Sequence, residues 1–133
     1  YKQPLVWGIV VILIAVFPVE WFDLYYKVKH LDKVFHFIGG LIVAWFFFVY
    51  FAERFKKLSF FKILKEVLII VFVVGILWEL AEYISAHYIK NYLPIVSKYF
   101  YIGTLIDSIG DLVADVLGGA VFFFLKIKSI KRS

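Results

Sequence analysis

Four apolar runs, at residues 5–19, 34–52, 67–88 and 105–125, hold no Lys or Arg, and every basic residue of the chain falls between or beyond them. No alternation of period two marks a strand, so each run reads as a helix. The last three approach the ~20 residues that a helix needs to cross a bilayer core. The first is short, so it is expected to extend towards Asp23 or to lie tilted. A cleaved signal peptide is not expected there, because the following Pro18-Val19-Glu20-Trp21 is too bulky for a cleavage site. The pattern predicts an all-α integral membrane bundle of about four transmembrane helices with short loops, one domain over 1–133. Segment 53–66, where Phe55, Phe60 and Phe61 interleave with basic residues, reads as an interfacial helix on anionic lipid.

Lys and Arg set the orientation. With four spans, Lys2, the basic residues of 53–66 and those of the tail share a side, and ten of the fifteen basic residues fall there. The positive-inside rule then places both termini in the cytoplasm. Lys27, Lys29, Lys33, Lys90 and Lys98 fall on the other side, with an aromatic belt of Trp21, Tyr25, Tyr26, Tyr88, Tyr92, Tyr99 and Tyr101.

The acids and histidines, which the rule ignores, gather on that outer side. Only Glu53 and Glu66 are left for the cytoplasmic face. Glu79, Glu82, Tyr83 and Ala86 follow i, i+3, i+4, i+7 on one stripe of helix 3. Asp107, Asp111 and Asp115 recur every four residues on helix 4, ahead of Gly118 and Gly119. His36 opens helix 2, and Gly39 and Gly40 after it allow close helix approach. At 1.5 Å per residue, Glu79 and Asp111 lie on the order of 10 Å below the outer surface. A carboxylate at such depth costs roughly 2.5–3.5 kcal/mol on insertion scales. Protonation, a loop lysine such as Lys33, water or a bound cation must compensate.

Composition narrows the chemistry. At 64% hydrophobic residues the chain exceeds what a soluble domain of 133 residues can cover. With no cysteine there is no disulfide and no thiolate metal site. The formal charge of +5 sits in the loops, so membrane lipids are the expected partner and nucleic acid is not. The sequence begins at Tyr1, which fits a longer natural N-terminus.

Several carboxylates and one imidazole form a hard, oxygen-rich set suited to Mg²⁺, Mn²⁺, Fe²⁺ or Zn²⁺. The expectation is a divalent metal site at the outer face held by His36, Glu79, Asp111 and Asp115, with Glu82 or Asp107 as general base. The function expected is a metal-dependent hydrolase of a lipid or lipid-linked envelope substrate, in a multi-pass protein of the cell membrane. Two other readings stand beside it. One is a cation or proton carrier using the same carboxylates, which would need a polar path through the inner half or a homo-oligomeric pore. The other is a structural protein whose polar cluster fixes helix register. His30 and His87 read as interfacial, Trp78 as packing, and Glu20, Asp23 and Asp32 as loop residues, with Asp32 adjoining His36.

Asp32-Lys33-x-x-His36, Trp78-Glu79-x-x-Glu82 and Asp107-x-x-x-Asp111-x-x-x-Asp115-x-x-Gly118-Gly119 together resemble the VanZ-like small membrane proteins, closest to the YjdF-like branch. The resemblance covers about residues 30–122. It implies a bundle of four or five helices at the cell envelope, associated in the VanZ case with glycopeptide resistance, and supplies no reaction. Glu82 and Asp115 depart from the Gln and Asn that VanZ proper tends to carry, which makes this version more acidic.

Overall fold

The structure, a computed structural model, describes residues 2–14, 28, 30–88, 92 and 104–130. Five helices are present among them: α1 (Lys2–Ile14), α2 (Leu31–Tyr50), α3 (Ala52–Phe55), α4 (Phe60–His87) and α5 (Leu105–Ile130). Glu20, Asp23, the lysines at 27, 29, 90 and 98, and the aromatic residues Trp21, Tyr25, Tyr26, Tyr99 and Tyr101 lie outside the described residues.

Local chemistry sets several helix ends. Thr104 precedes α5, and its Oγ1 accepts the backbone N–H of Asp107 at 3.3 Å, satisfying one of the free donors of the first turn. Asp107 itself places a negative charge near the positive end of the helix dipole. Before α2, His30 adopts a left-handed conformation (φ 65°), and its carbonyl accepts the N–H of Val34. Segment 53–66 is not one continuous helix. Short α3 ends at Phe55, a turn follows, and Phe60 already opens α4.

Side-chain register gives the topology. Lys33 meets Asp107 and Asp111, His36 meets Asp115, and Phe48 meets Phe122, so α2 and α5 run parallel. Phe60 stacks near Phe123 while Gly75 faces Asp115, so α4 runs antiparallel to α5. Gly8 of α1 lies against Ile42, Pro4 near Trp45 and Ile12 near His36, so α1 is antiparallel to α2. The four longer helices therefore alternate in direction. The start of α1, the 51–59 connection and the end of α5 share one end of the bundle.

Glycine sets the α2–α5 spacing. A Cβ at Gly40 would fall on the backbone carbonyl of Asp115, and one at Gly118 on that of Phe37. The backbones touch where those two glycines cross, as small residues permit between membrane helices. Below this crossing the core is aromatic and aliphatic: Phe48, Phe55, Val67, Val71, Phe122 and Phe123 are all buried. Above it the buried polar groups among the described residues are His36, Ser85, Asp111 and Asp115.

The outward faces have the reverse polarity of a soluble bundle. On α5, Ile109, Val113, Leu117, Val121 and Phe124 are 41–57% exposed, while Asp111 and Asp115 on the opposite face are 4% and 7% exposed. Over this stretch of α5 apolar residues cover the surface and carboxylates turn inward. Water as the surrounding solvent would drive the opposite sorting, whereas hydrocarbon favours this one. The helices Leu31–Tyr50 and Leu105–Ile127 are long and apolar enough to cross a membrane.

Candidate functional site

Three helices bring the polar groups together. Asp32, Lys33 and His36 stand on the first turns of α2, Glu79 and Glu82 on the last turns of α4, and Asp107, Asp111 and Asp115 on the first three turns of α5. Because α4 runs against the other two, its C-terminal end meets both N-terminal ends. All six residues that the sequence singles out for the site therefore lie at one end of the bundle.

They divide into two groups. In the first, Lys33 reaches across to the neighbouring turns of α5, pairing with Asp107 and, at 3.1 Å, with Asp111. Asp107 and Asp111 are one helical turn apart, so a single ammonium group can serve both. The Asp111 side chain is only 5% exposed, and Lys33 is the cation that answers its burial. Of the compensating groups open to these acids, a loop-proximal lysine is the one that the structure places beside Asp107 and Asp111.

The second group centres on His36. Its Nδ1–H donates to Asp115 Oδ2 at 3.2 Å. Its other nitrogen, Nε2, faces Glu79 Oε1 at 3.7 Å and Asp32 Oδ1 at 3.9 Å, too far for hydrogen bonds. Glu79 Oε1 is a buried side-chain oxygen without a hydrogen-bond partner among the described residues. Glu82 stands nearby and accepts the indole N–H of Trp78 through Oε1 at 2.9 Å. Gly75 makes room for the Asp115 carboxylate, since a Cβ there would come within 2.6 Å of Oδ2.

Two sets of ligand atoms are close enough to share an ion: Asp32, His36 and Asp111, and His36, Glu79 and Glu82, each with atoms within 4.8 Å of one another. Ligands about 2.0–2.2 Å from a common ion are themselves roughly 3–4 Å apart, and the two separations from Nε2 fall in that range. A metal-bound histidine ordinarily donates its second ring N–H to a carboxylate, which is the position Asp115 holds. The residue set thus fits a cation at Nε2. In that arrangement Asp115 supports the imidazole from behind, Asp111 is divided between Lys33 and the ion-facing side, and Asp107 is committed to Lys33.

Sequence spacing underplays two residues. Asp32 reads as a loop carboxylate, although its i, i+4 relation to His36 is the signal that puts both on one face of α2. Gly75, alone in a Val- and Ile-rich stretch, gives the only sequence hint that α4 must pass close to another helix there. His30 and His87 stay outside the cluster. His87 Nδ1 lies 2.9 Å from the backbone carbonyl of Tyr83, and its ring stacks on that tyrosine at the exposed end of α4.

The chain matches no curated protein and no solved structure. A family does match, described as "Predicted membrane protein (DUF2238)", over residues 5–132. Helices that turn carboxylates inward and aliphatic side chains outward accord with that description, and the chain belongs to the DUF2238 family of membrane proteins.

Proposed function

We propose that this protein is a multi-pass cell-membrane hydrolase that holds a divalent cation at His36 and acts on a lipid or lipid-linked substrate. The observation that carries the reading is the orientation of His36, with Nδ1 fixed by Asp115 and Nε2 turned towards Glu79 and Asp32. Support comes also from Glu79 Oε1, a buried acceptor for which a cation would be the missing partner. The four longer helices are the spans. α2 and α5, of 20 and 26 residues, are about 30 and 39 Å long, and α4, of 28 residues, about 42 Å. The basic residues of the 51–59 connection, Lys2 and the tail put that end, and both termini, in the cytoplasm, so the site lies towards the outer leaflet.

In this reading His36, Glu79 and Asp32 would hold the ion. A divalent cation supplies Lewis acidity and lowers the pKa of a bound water. Glu82, positioned by the Trp78 indole, would be the general base for ester hydrolysis there. Lys33 and Asp107 steady Asp111 and do not take part in bond breaking. The resemblance to VanZ-like envelope proteins is compatible with a substrate met at the outer face.

A carrier reading is less well supported. Past the glycine crossing, the described core is built from Phe48, Phe55, Phe122 and Phe123, which give an ion no polar path.

Metal analysis of the detergent-purified protein tests the proposal. Wild type should hold about one equivalent of a divalent metal, and His36→Ala and Glu79→Gln should each lose it while staying folded. Wild type without metal after loading with Mg²⁺, Mn²⁺, Fe²⁺ and Zn²⁺ in turn would overturn it. Equal metal in all three proteins would overturn the residue assignment.

A further inference from the structure

A cavity of about 260 Å³ runs between α1, α2 and α4 from the His36 end towards the glycine crossing. Its polar groups, Asp32, His36, Glu82 and Asp115, are confined to one end. Its remaining walls are largely apolar, with Ile12 from α1, Phe35 and Val43 from α2, and Val71, Val74 and Trp78 from α4. α1 packs on α2 but scarcely touches α4 among the described residues, so the cavity faces outwards between Ile12 and Trp78.

We propose that this cavity seats one hydrocarbon chain of a membrane amphiphile, with the head group beside His36. Three features point to that occupant. Polarity is graded along the cavity, which matches a molecule with one polar end. The volume lies just below the ~300–1,000 Å³ typical of ligand pockets, which suits a single chain better than a diacyl lipid. The opening is flanked by exposed, largely apolar side chains, Ile12 at 48% and Trp78 at 39%, so it faces hydrocarbon and admits a ligand dissolved in the bilayer.

The head-group chemistry rests on the cation reading above, whereas the chain seat does not. With a divalent cation at His36, an anionic phosphate head is favoured. Without one, the carboxylates around His36 favour a cationic head.

The test reconstitutes the full chain in phosphatidylcholine nanodiscs with two photoreactive probes, each bearing a diazirine on a dodecyl chain. One has a phosphate head and the other a trimethylammonium head. Cross-links are mapped by mass spectrometry with and without Mn²⁺. Two variants fill the cavity, Val74→Phe from its wall and Ile12→Trp from its rim. Ile12 is half-exposed, so the second variant leaves the packed core alone.

Cross-links should concentrate on Ile12, Val43, Val71 and Val74. They should fall at least about ten-fold in either variant, the loss expected when two methylene groups are displaced. With Mn²⁺ the phosphate probe should label more strongly than the ammonium probe. Labelling spread over lipid-facing residues such as Val113 and Leu117, or labelling unchanged in both variants, would overturn the chain seat. Cavity labelling that favours the ammonium head even with Mn²⁺ would uphold the seat and count against the cation.

Discussion

Removing the Lys33 ammonium while keeping the aliphatic stem, as in Lys33→Met, strands Asp111. The Asp111 side chain is 5% exposed, while Lys33 and Asp107 are 28% and 29% exposed. An exposed ion pair is worth ~0.2–1 kcal/mol, and stripping one partner from a fully buried pair costs ~3–5 kcal/mol. One member here is buried and the other two are partly open, so the expected loss is about 2–4 kcal/mol. Asp107 contributes little to it, because water can reach that carboxylate once the lysine is gone. Most of the cost is the uncompensated Asp111 charge. The double variant Lys33→Met/Asp111→Asn, which removes that charge, should therefore recover at least about half of the loss. Equilibrium unfolding in mixed micelles of increasing SDS fraction, followed by tryptophan fluorescence, measures all three proteins. A Lys33→Met cost below about 1 kcal/mol would show that the pair behaves as a surface pair. A double variant no more stable than the single one would refute the assignment of the cost to Asp111.

Asp115→Asn should lower the affinity for the divalent cation by about 10–100-fold without abolishing it, because the imidazole is left less firmly oriented and less basic. A metal titration that shows wild-type affinity would remove Asp115 from its supporting role. Gly118→Val should cost roughly 3 kcal/mol or more in the same unfolding assay, since its Cβ would fall on the Phe37 carbonyl. Gly8→Ala should be close to neutral, because its Cβ would meet the Ile42 side chain at an ordinary 3.4 Å, and a loss like that of Gly118→Val would contradict the packing described. Arg54→Ala breaks a pair with Glu66 whose members are 59% and 30% exposed, and should change stability by less than about 1 kcal/mol.

The apolar runs of the sequence and the helices that contain them end at different residues. The run at 67–88 corresponds to α4, but the helix starts at Phe60 and includes Lys62 and Lys65. Both are good helix formers and both point outwards, so nothing ends the helix where the apolar run ends. The run at 105–125 likewise continues to Ile130 through Lys126. Apolarity records depth in hydrocarbon, whereas helix length records backbone hydrogen bonding, and the two part company in the headgroup region. The gathering of acids at one end was legible because topology alone puts Glu79, Asp111 and His36 at similar heights. The commitment of Lys33 to Asp107 and Asp111 was not. It depends on the rotation and height of α2 against α5, which the contacts of Gly40 and Gly118 set, and no spacing within either helix encodes the match.

The two halves of the cluster differ in a way that separates a structural role from a ligand site. A network kept only to fix helix register is best when it is closed, with each donor and acceptor matched inside the protein. The Lys33 group meets that description, since one ammonium answers two carboxylates on adjacent turns. The His36 group does not. Nε2 stands 3.7 and 3.9 Å from two carboxylate oxygens, beyond hydrogen-bond length, and Glu79 Oε1 is buried without a hydrogen-bond partner among the described residues. A buried orphan acceptor costs ~1–3 kcal/mol, more when charged, and nothing about holding helices together requires it. The largely apolar cavity ends at this same group, with Glu82, His36 and Asp115 among its walls. Unmatched polar atoms at the polar end of an otherwise apolar cavity are where a ligand would complete the hydrogen-bond and charge balance. On the proposed reading the Lys33 half is the fixed frame, and the His36 half is the part that would hold a ligand.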